Sequence, residues 1–280
     1  MHDQNHRAAE LNHRSTEPHH RSTTSVSPEG TDMAVSAGGV QAHPASRRAL
    51  LLGGVLAATG LATATMNLVS ASPASAAPPA TRRTLRSGAK GADVLAMQRE
   101  LSRLHYWLGT ADGKFGPLTL QAVYALQKAA GLKADGVVGP KTYAALDRGA
   151  QPSRRITSGT AFELDKGRQL LLCISKGKLA YILNTSTGNG ARYYSGGRWK
   201  RATTPSGDFR MYRLYSKGWQ SGPLGSMYRP GYYSGGWAIH GSSSIPPYPA
   251  SHGCARISTG AADMLWSRSW FVTGRRVLVR

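Results

Sequence analysis

Ser251-His252-Gly253-Cys254-Ala255-Arg256 is the stretch whose reading decides both fold and chemistry, because it sets a thiol between glycine and alanine, two residues from an imidazole. His240-Gly241 stands upstream of it. A thiol and an imidazole are the minimal apparatus for nucleophilic acyl transfer. Sulfur attacks as the thiolate, and a cysteine of ordinary pKa, about 8.5, is only a few per cent ionised at neutral pH, so a base must supply it. Gly253 lets the backbone approach a substrate closely and aim N–H groups at a developing oxyanion. A surface loop holding a structural cysteine is the alternative. The histidines weigh against it: His2, His6, His13, His19, His20 and His43 lie in the first 45 residues, and of His105, His240 and His252 the last two flank Cys254. Two cysteines and two histidines without paired ligand spacing make a zinc site unexpected, so no metal is assigned.

His240-Gly241 followed by Ser251-His252-Gly253-Cys254-x-Arg256, with Thr204-Pro205-Ser206-Gly207 earlier, resembles the signature of the YkuD-type L,D-transpeptidase catalytic domain. The resemblance covers roughly residues 158–280. Ala255 stands where that family mostly has Ile, Val or Leu, a change of packing and not of chemistry. The resemblance implies peptidoglycan stem peptides as substrate, Cys254 as nucleophile, His240 as base, no cofactor, and sensitivity to carbapenem-type inhibitors. No Asp or Glu lies between Asp208 and Asp263 to complete a triad, so the Gly241 carbonyl is the candidate for orienting His240, as the resemblance also implies. Backbone N–H groups around Gly253 and Cys254 are expected to hold the oxyanion, with His252 shaping the loop. Arg256 and the local lack of carboxylates are expected to favour a thiolate. The candidate substrate contacts are Arg256, Ser251, and Tyr228, Tyr232 and Tyr233 of the glycine- and tyrosine-rich segment 216–236, read as a flap. Ordinary buried tyrosines are the alternative there.

Around this stretch the chain alternates like a β protein. Strands are predicted over 161–165, 168–175, 178–186, 208–214, 236–240 and 276–280, and a helix over about 259–271, so that Cys254 lies in a loop leading to the last helix. Cys173 falls in the apolar run Leu170-Leu171-Leu172-Cys173-Ile174 and reads as a buried small hydrophobe, although two cysteines in an exported chain also allow a disulfide.

A linker over 149–158 separates this region from a repeat. Asp112-Gly113-Lys114-Phe115-Gly116-Pro117 and Asp135-Gly136-Val137-Val138-Gly139-Pro140 have identical spacing. Asp-Gly supplies a tight turn and Gly-Pro opens a helix, with proline at the first helical position where its missing N–H costs nothing. Helices are predicted over 117–130 and 140–148, preceded by one over 92–106 with Val94, Met97, Leu101 and Leu104 on one face. With Leu85, Gly88, Gly91, Gln98, Gln127 and Gly131-Leu132, residues 84–149 resemble the type 1 peptidoglycan-binding domain, a three-helix module that in its family holds an enzyme on the wall. A generic helical spacer is the alternative.

Residues 1–45 are poor in apolar periodicity and read as a disordered tail. Over 46–76, Arg47-Arg48, a moderately apolar stretch and Ala74-Ser75-Ala76 have the layout of a twin-arginine-like signal peptide, with no stable membrane span expected after cleavage. The formal net charge is +21, and residues 1–76 hold five basic and five acidic side chains, so the excess belongs to residues 77–280. Such a charge asks for an anionic partner. With an export signal and no DNA-binding pattern, wall polymers fit and nucleic acid does not. The expected fold is therefore multidomain α and β: an N-terminal three-helix bundle, then a mostly-β L,D-transpeptidase catalytic domain (158–280) with a C-terminal helix, exported to the cell wall or outside. A wall carboxypeptidase or endopeptidase of the same fold, or a non-catalytic wall-binding protein, are the competing readings.

Overall fold

The computed structural model describes residues 82–280; the tail at 1–45 and the signal segment at 46–76 lie outside the described residues. No helix among the described residues is long and apolar enough to cross a membrane. Three helices come first: α1 (Ala92–Arg103), α2 (Pro117–Ala129) and α3 (Pro140–Asp147). Pro117 and Pro140 open α2 and α3, each behind an extended glycine. A buried glutamine serves each Asp-Gly turn. Gln98 Nε2 donates to Asp112 Oδ1 at 3.0 Å and to Thr119 Oγ1 at 2.9 Å, while Gln127 Nε2 donates to Asp135 Oδ1 at 2.8 Å and to Thr142 Oγ1 at 3.2 Å. Gly136 has φ +74, a conformation that favours glycine, and a Cβ there would also crowd Leu120 Cδ1 at 2.5 Å.

The remaining chain is mostly β: β1 (Ala161–Asp165), β2 (Leu170–Ser175), β3 (Lys178–Asn184), β4 (Arg192–Ser195), β5 (Arg198–Arg201), β6 (Gly207–Arg210), β7 (Arg213–Leu214), β8 (Trp219–Gly222), β9 (Gly225–Ser234), β10 (Trp237–Ser242) and β11 (Ala255–Ser258), then helix α4 (Thr259–Ser267) and β12 (Arg276–Val279). One sheet runs β3-β2-β1-β12-β6 and a second β11-β10-β9-β7, with β8 on β9; β4 and β5 form a separate hairpin. The segment 216–236, read from sequence as a flap, is strand β8 and the long strand β9. A short strand, β11, also stands between the cysteine and α4.

The run 170–174 shows why the sheet sits where it does. Leu171 and Cys173 face a core shared with Ile239, Ile257 and Leu265. Leu170, Leu172 and Ile174 face the opposite way, into a core shared with Leu101, Val123 and Leu126 of the helices. A strand with both faces covered has no use for polar alternation, hence its unbroken apolar run. The helices and the first sheet thus share one core. Residues 105–107 also cap the edge strand β3: Ile182 N–H donates to His105 O at 2.8 Å and Trp107 N–H to Ile182 O at 3.3 Å. The predicted linker at 149–158 is packed in turn, with Ile156 buried and the N–H groups of Arg155 and Ile156 donating to the buried Glu163 carboxylate at 2.8 and 3.0 Å.

Candidate active site

β10 and β11 run parallel, with Ile239 beside Ala255 and His240 beside Arg256. Side chains alternate along a strand, so Ile239, Ala255 and Ile257 enter the core while His240 and Arg256 share the other face. Cys254 immediately precedes β11 and is half-buried. Its Sγ–H donates to Gly236 O at 3.6 Å.

His240 is buried, and its Nδ1 lies 2.8 Å from Gly241 O. A carbonyl only accepts, so Nδ1 carries the proton and the Nε2 lone pair is left for another group. Burial, with a smaller push from Arg256, brings the imidazole down to about 4, although the Gly241 carbonyl works the other way. At neutral pH the ring is therefore uncharged. Gly241 is also a packing position: a Cβ would lie 2.9 Å from Tyr228 Cδ1 and 3.2 Å from Ala262 Cβ.

Burial pushes the Cys254 thiol up, against the smaller opposing effects of the Ala238 N–H and Arg256. Arg256 favours the thiolate, as expected from the sequence, but it is the smaller effect. Desolvation outweighs the nearby guanidinium, and the sulfur keeps its proton until a base removes it.

The loop holding Cys254 is locked from within. Ser251 Oγ accepts the Gly253 N–H at 2.9 Å and donates to Cys254 O at 2.6 Å. Buried and doubly engaged, Ser251 braces the loop. The Gly253 N–H is engaged by the same hydroxyl. Gly253 has φ +141, and a Cβ would lie 2.6 Å from Trp237 Nε1 and 2.8 Å from Thr203 O. Its carbonyl accepts Thr204 Oγ1–H at 2.6 Å. Thr203, Thr204 and Trp237 were missed as site residues in the sequence, although the Thr204-Pro205-Ser206-Gly207 motif marked their neighbourhood. Segment 185–187 forms the loop's seat: Ser251 N–H donates to Thr187 O at 2.9 Å, Arg256 N–H to Ser186 O at 3.1 Å, and Thr185 Oγ1–H to Arg256 O at 2.8 Å.

His252 is exposed and meets the Tyr193 ring edge-on, 4.8 Å between centroids. The guanidinium of Arg256 is half-buried. The tyrosines do not line an open groove together. Tyr228 packs on Trp219 at 5.2 Å, and Tyr232 lies under the Arg213 guanidinium at 4.3 Å. Tyr233 is in the core against Phe209, its hydroxyl without a partner among the described residues. Burial raises its phenol, and ionisation of the neighbouring Cys254 would raise it further. Both cysteines are free, and Cys173 is fully buried.

Two packed sheets, with a cysteine loop entering a strand beside a buried neutral histidine, define the class: residues 160–279 match the L,D-transpeptidase catalytic domain of the YkuD family. Residues 90–146 match a peptidoglycan binding domain. A crystal structure of an L,D-transpeptidase from Xylanimonas cellulosilytica DSM 15894 is 50% identical, covers 73% of this chain and all of that one, and superposes with a TM-score of 0.69. The chain belongs to the YkuD L,D-transpeptidase family. Among curated relatives, an uncharacterised protein of the bpoA1 3' region of Kitasatospora aureofaciens is 52% identical over 58 residues, 20% of this chain and 49% of its own. The N-acetylmuramoyl-L-alanine amidase CwlL of Bacillus licheniformis is 40% identical over 88 residues, 30% of this chain and 24% of its own. The chain thus spans between a quarter and a half of these curated relatives.

Proposed function

We propose that this chain is an exported peptidoglycan L,D-transpeptidase with Cys254 as its nucleophile. The supporting observation is the uncharged His240, held by its own neighbour's carbonyl on the strand beside the cysteine loop. Nε2 of His240 takes the Cys254 proton as Sγ attacks the carbonyl of the third stem residue, the diamino acid at its L-centre. The C–N bond breaks, and the imidazolium returns its proton to the departing D-amino acid. An acceptor amine from a second stem then attacks the thioester, loses its proton to His240, and leaves an amide cross-link with the thiol restored. The oxyanion donor we assign is the Cys254 N–H, since the Gly253 N–H is committed to Ser251. Residues 84–149 act as the peptidoglycan-binding three-helix module, and residues 46–76 as the twin-arginine export signal. Carbapenem-type inhibitors are expected to acylate Cys254.

Mass spectrometry after incubating the full chain with a defined tetrapeptide stem tests this reading. The expected products are a cross-linked dimer and free D-amino acid, both absent with Cys254→Ala. Tripeptide without dimer would make water the acceptor and the protein a carboxypeptidase. Unchanged turnover in Cys254→Ala would remove the cysteine mechanism.

A further inference from the structure

The β4–β5 hairpin is a sheet of its own beside the cysteine loop. Its register sets Tyr194 opposite Trp199 and Arg192 opposite Arg201, so these four side chains share one face. Tyr194 and Trp199 are each 62% exposed, their rings meeting edge-on at 5.6 Å. The Arg192 guanidinium lies 5.1 Å over the Trp199 ring. Two large aromatics kept in water side by side forgo burial that a core would reward, which marks the face for a partner. The inner face carries Tyr193, which meets His252. The hairpin's base is tied to the same loop by the Asn189 N–H, which donates to Ser251 O at 3.1 Å. The outer face is therefore joined through one layer of residues to the loop that ends in Cys254.

The chemistry selects the occupant. Residues 192–201 hold Arg192, Arg198, Lys200 and Arg201 and no acidic side chain. Cations alone would take any polyanion, and bare aromatics any apolar surface. Exposed rings framed by guanidinium groups suit a sugar ring whose C–H face stacks on the aromatic while carboxylates of the peptide it carries accept from arginine. We propose that the face formed by Arg192, Tyr194, Trp199 and Arg201 binds the glycan strand of the substrate polymer, a chain of amino sugars whose attached stems carry the carboxylates, and so presents a stem to the neighbouring cysteine loop. This rests on the transpeptidase reading above.

Two substrates separate the platform from the chemistry: a free tetrapeptide stem, and the same stem carried on glycan strands stripped of acid-labile phosphate polymers. In the full chain, Trp199→Ala combined with Tyr194→Ala is expected to leave kcat/KM on the free stem within about twofold while raising KM on the glycan-borne stem about tenfold, the scale on which anchor aromatics are felt. Arg192→Gln with Arg201→Gln should raise the same KM, with a salt-dependent part. Co-sedimentation with the stripped strands at high salt reads binding without turnover and should fall with the aromatic pair removed. Unchanged KM on both substrates overturns the proposal. So does a loss that follows the arginines alone and appears only with unstripped polymer, the mark of polyanion adsorption. A parent chain inactive on the free stem strikes the transpeptidase reading instead, and sedimentation then judges the platform by itself.

Discussion

Replacing Lys128 by methionine tests whether the helices and the first sheet of the β region work as one body. Lys128 belongs to α2, yet its ammonium is buried against the first sheet. It donates to Gln169 O at 3.0 Å, to Thr185 O at 3.2 Å and to Asn184 Oδ1. Burial brings this amine down to about 7, while three converging neutral oxygens favour its charged form. Methionine fills the apolar volume of the stem and supplies no donor. Each buried acceptor left unpaired costs about 1–3 kcal/mol, so the gross loss is roughly 3–9 kcal/mol. Relief from burying the ammonium returns several kcal/mol, leaving a net loss of about 2–4 kcal/mol. For a unit of about 200 residues this lowers Tm by roughly 5–15 °C. Far-UV dichroism and tryptophan fluorescence should record the fall at the same temperature, because helix and sheet share a core. The effect should reach the site as well. The side-chain amide of Gln169 holds both the N–H and the hydroxyl of Thr187, at 2.8 and 2.7 Å, and Thr187 O accepts the Ser251 N–H. Carbapenem acylation of the folded variant should therefore slow several-fold. A Tm within about 1 °C of the parent, or helix and sheet signals melting apart, refutes the shared-core argument.

Four further outcomes are expected. His240→Ala should slow carbapenem acylation about 10²–10⁴-fold and recover in part at high pH, since the buried thiol then ionises unaided, whereas His252→Ala should lose less and recover little; the reverse ranking moves the base to His252. His240 also makes a pH signature: the unfolded chain protonates it near 6.5 and the folded one near 4, so the stability it lends at neutral pH, at most about 3 kcal/mol, is lost as pH falls through that window. Urea midpoints at pH 7 and pH 5 that drop equally in the parent and in His240→Asn would contradict this. Cys254→Ala should abolish acylation, while Cys173→Ala spares it at a cost of a few kcal/mol at most, and thiol titration should find one fast and one slow group; equal loss of activity in two folded variants denies a single nucleophile. Tyr233→Phe removes a buried hydroxyl that has no partner among the described residues and should leave stability unchanged or raise it by about 1–3 kcal/mol, with acylation unaffected; slowed acylation would instead place the hydroxyl at the thiol.

Much of this molecule was legible in one dimension because its signals are local. Asp-Gly turns with Gly-Pro helix starts need only neighbouring residues, and they placed α2 and α3 to within about a residue. The unbroken apolar run 170–174 announced a buried strand. The link between His240 and Gly241 is a contact between adjacent residues, so the lack of nearby acids sufficed to nominate the carbonyl. Other features depend on groups far apart in sequence. Glycine and tyrosine are common to loops and to edge strands, so 216–236 read as a flap until β10 supplied a partner for β9. Nothing local says that the Ser251 hydroxyl turns back on Gly253 and Cys254. The balance on the thiol is of the same kind: the favourable effect of Arg256 is visible two residues away, whereas the burial that outweighs it is a property of the folded protein. Local signals in the sequence were enough to nominate Cys254 and His240 for the chemistry and to place the helices and most strands. That the helices are built onto the first sheet, through an ammonium on α2 and oxygens some 40 to 60 residues further along the chain, is settled in three dimensions, because desolvation and hydrogen-bond partnership are set by what folding brings alongside.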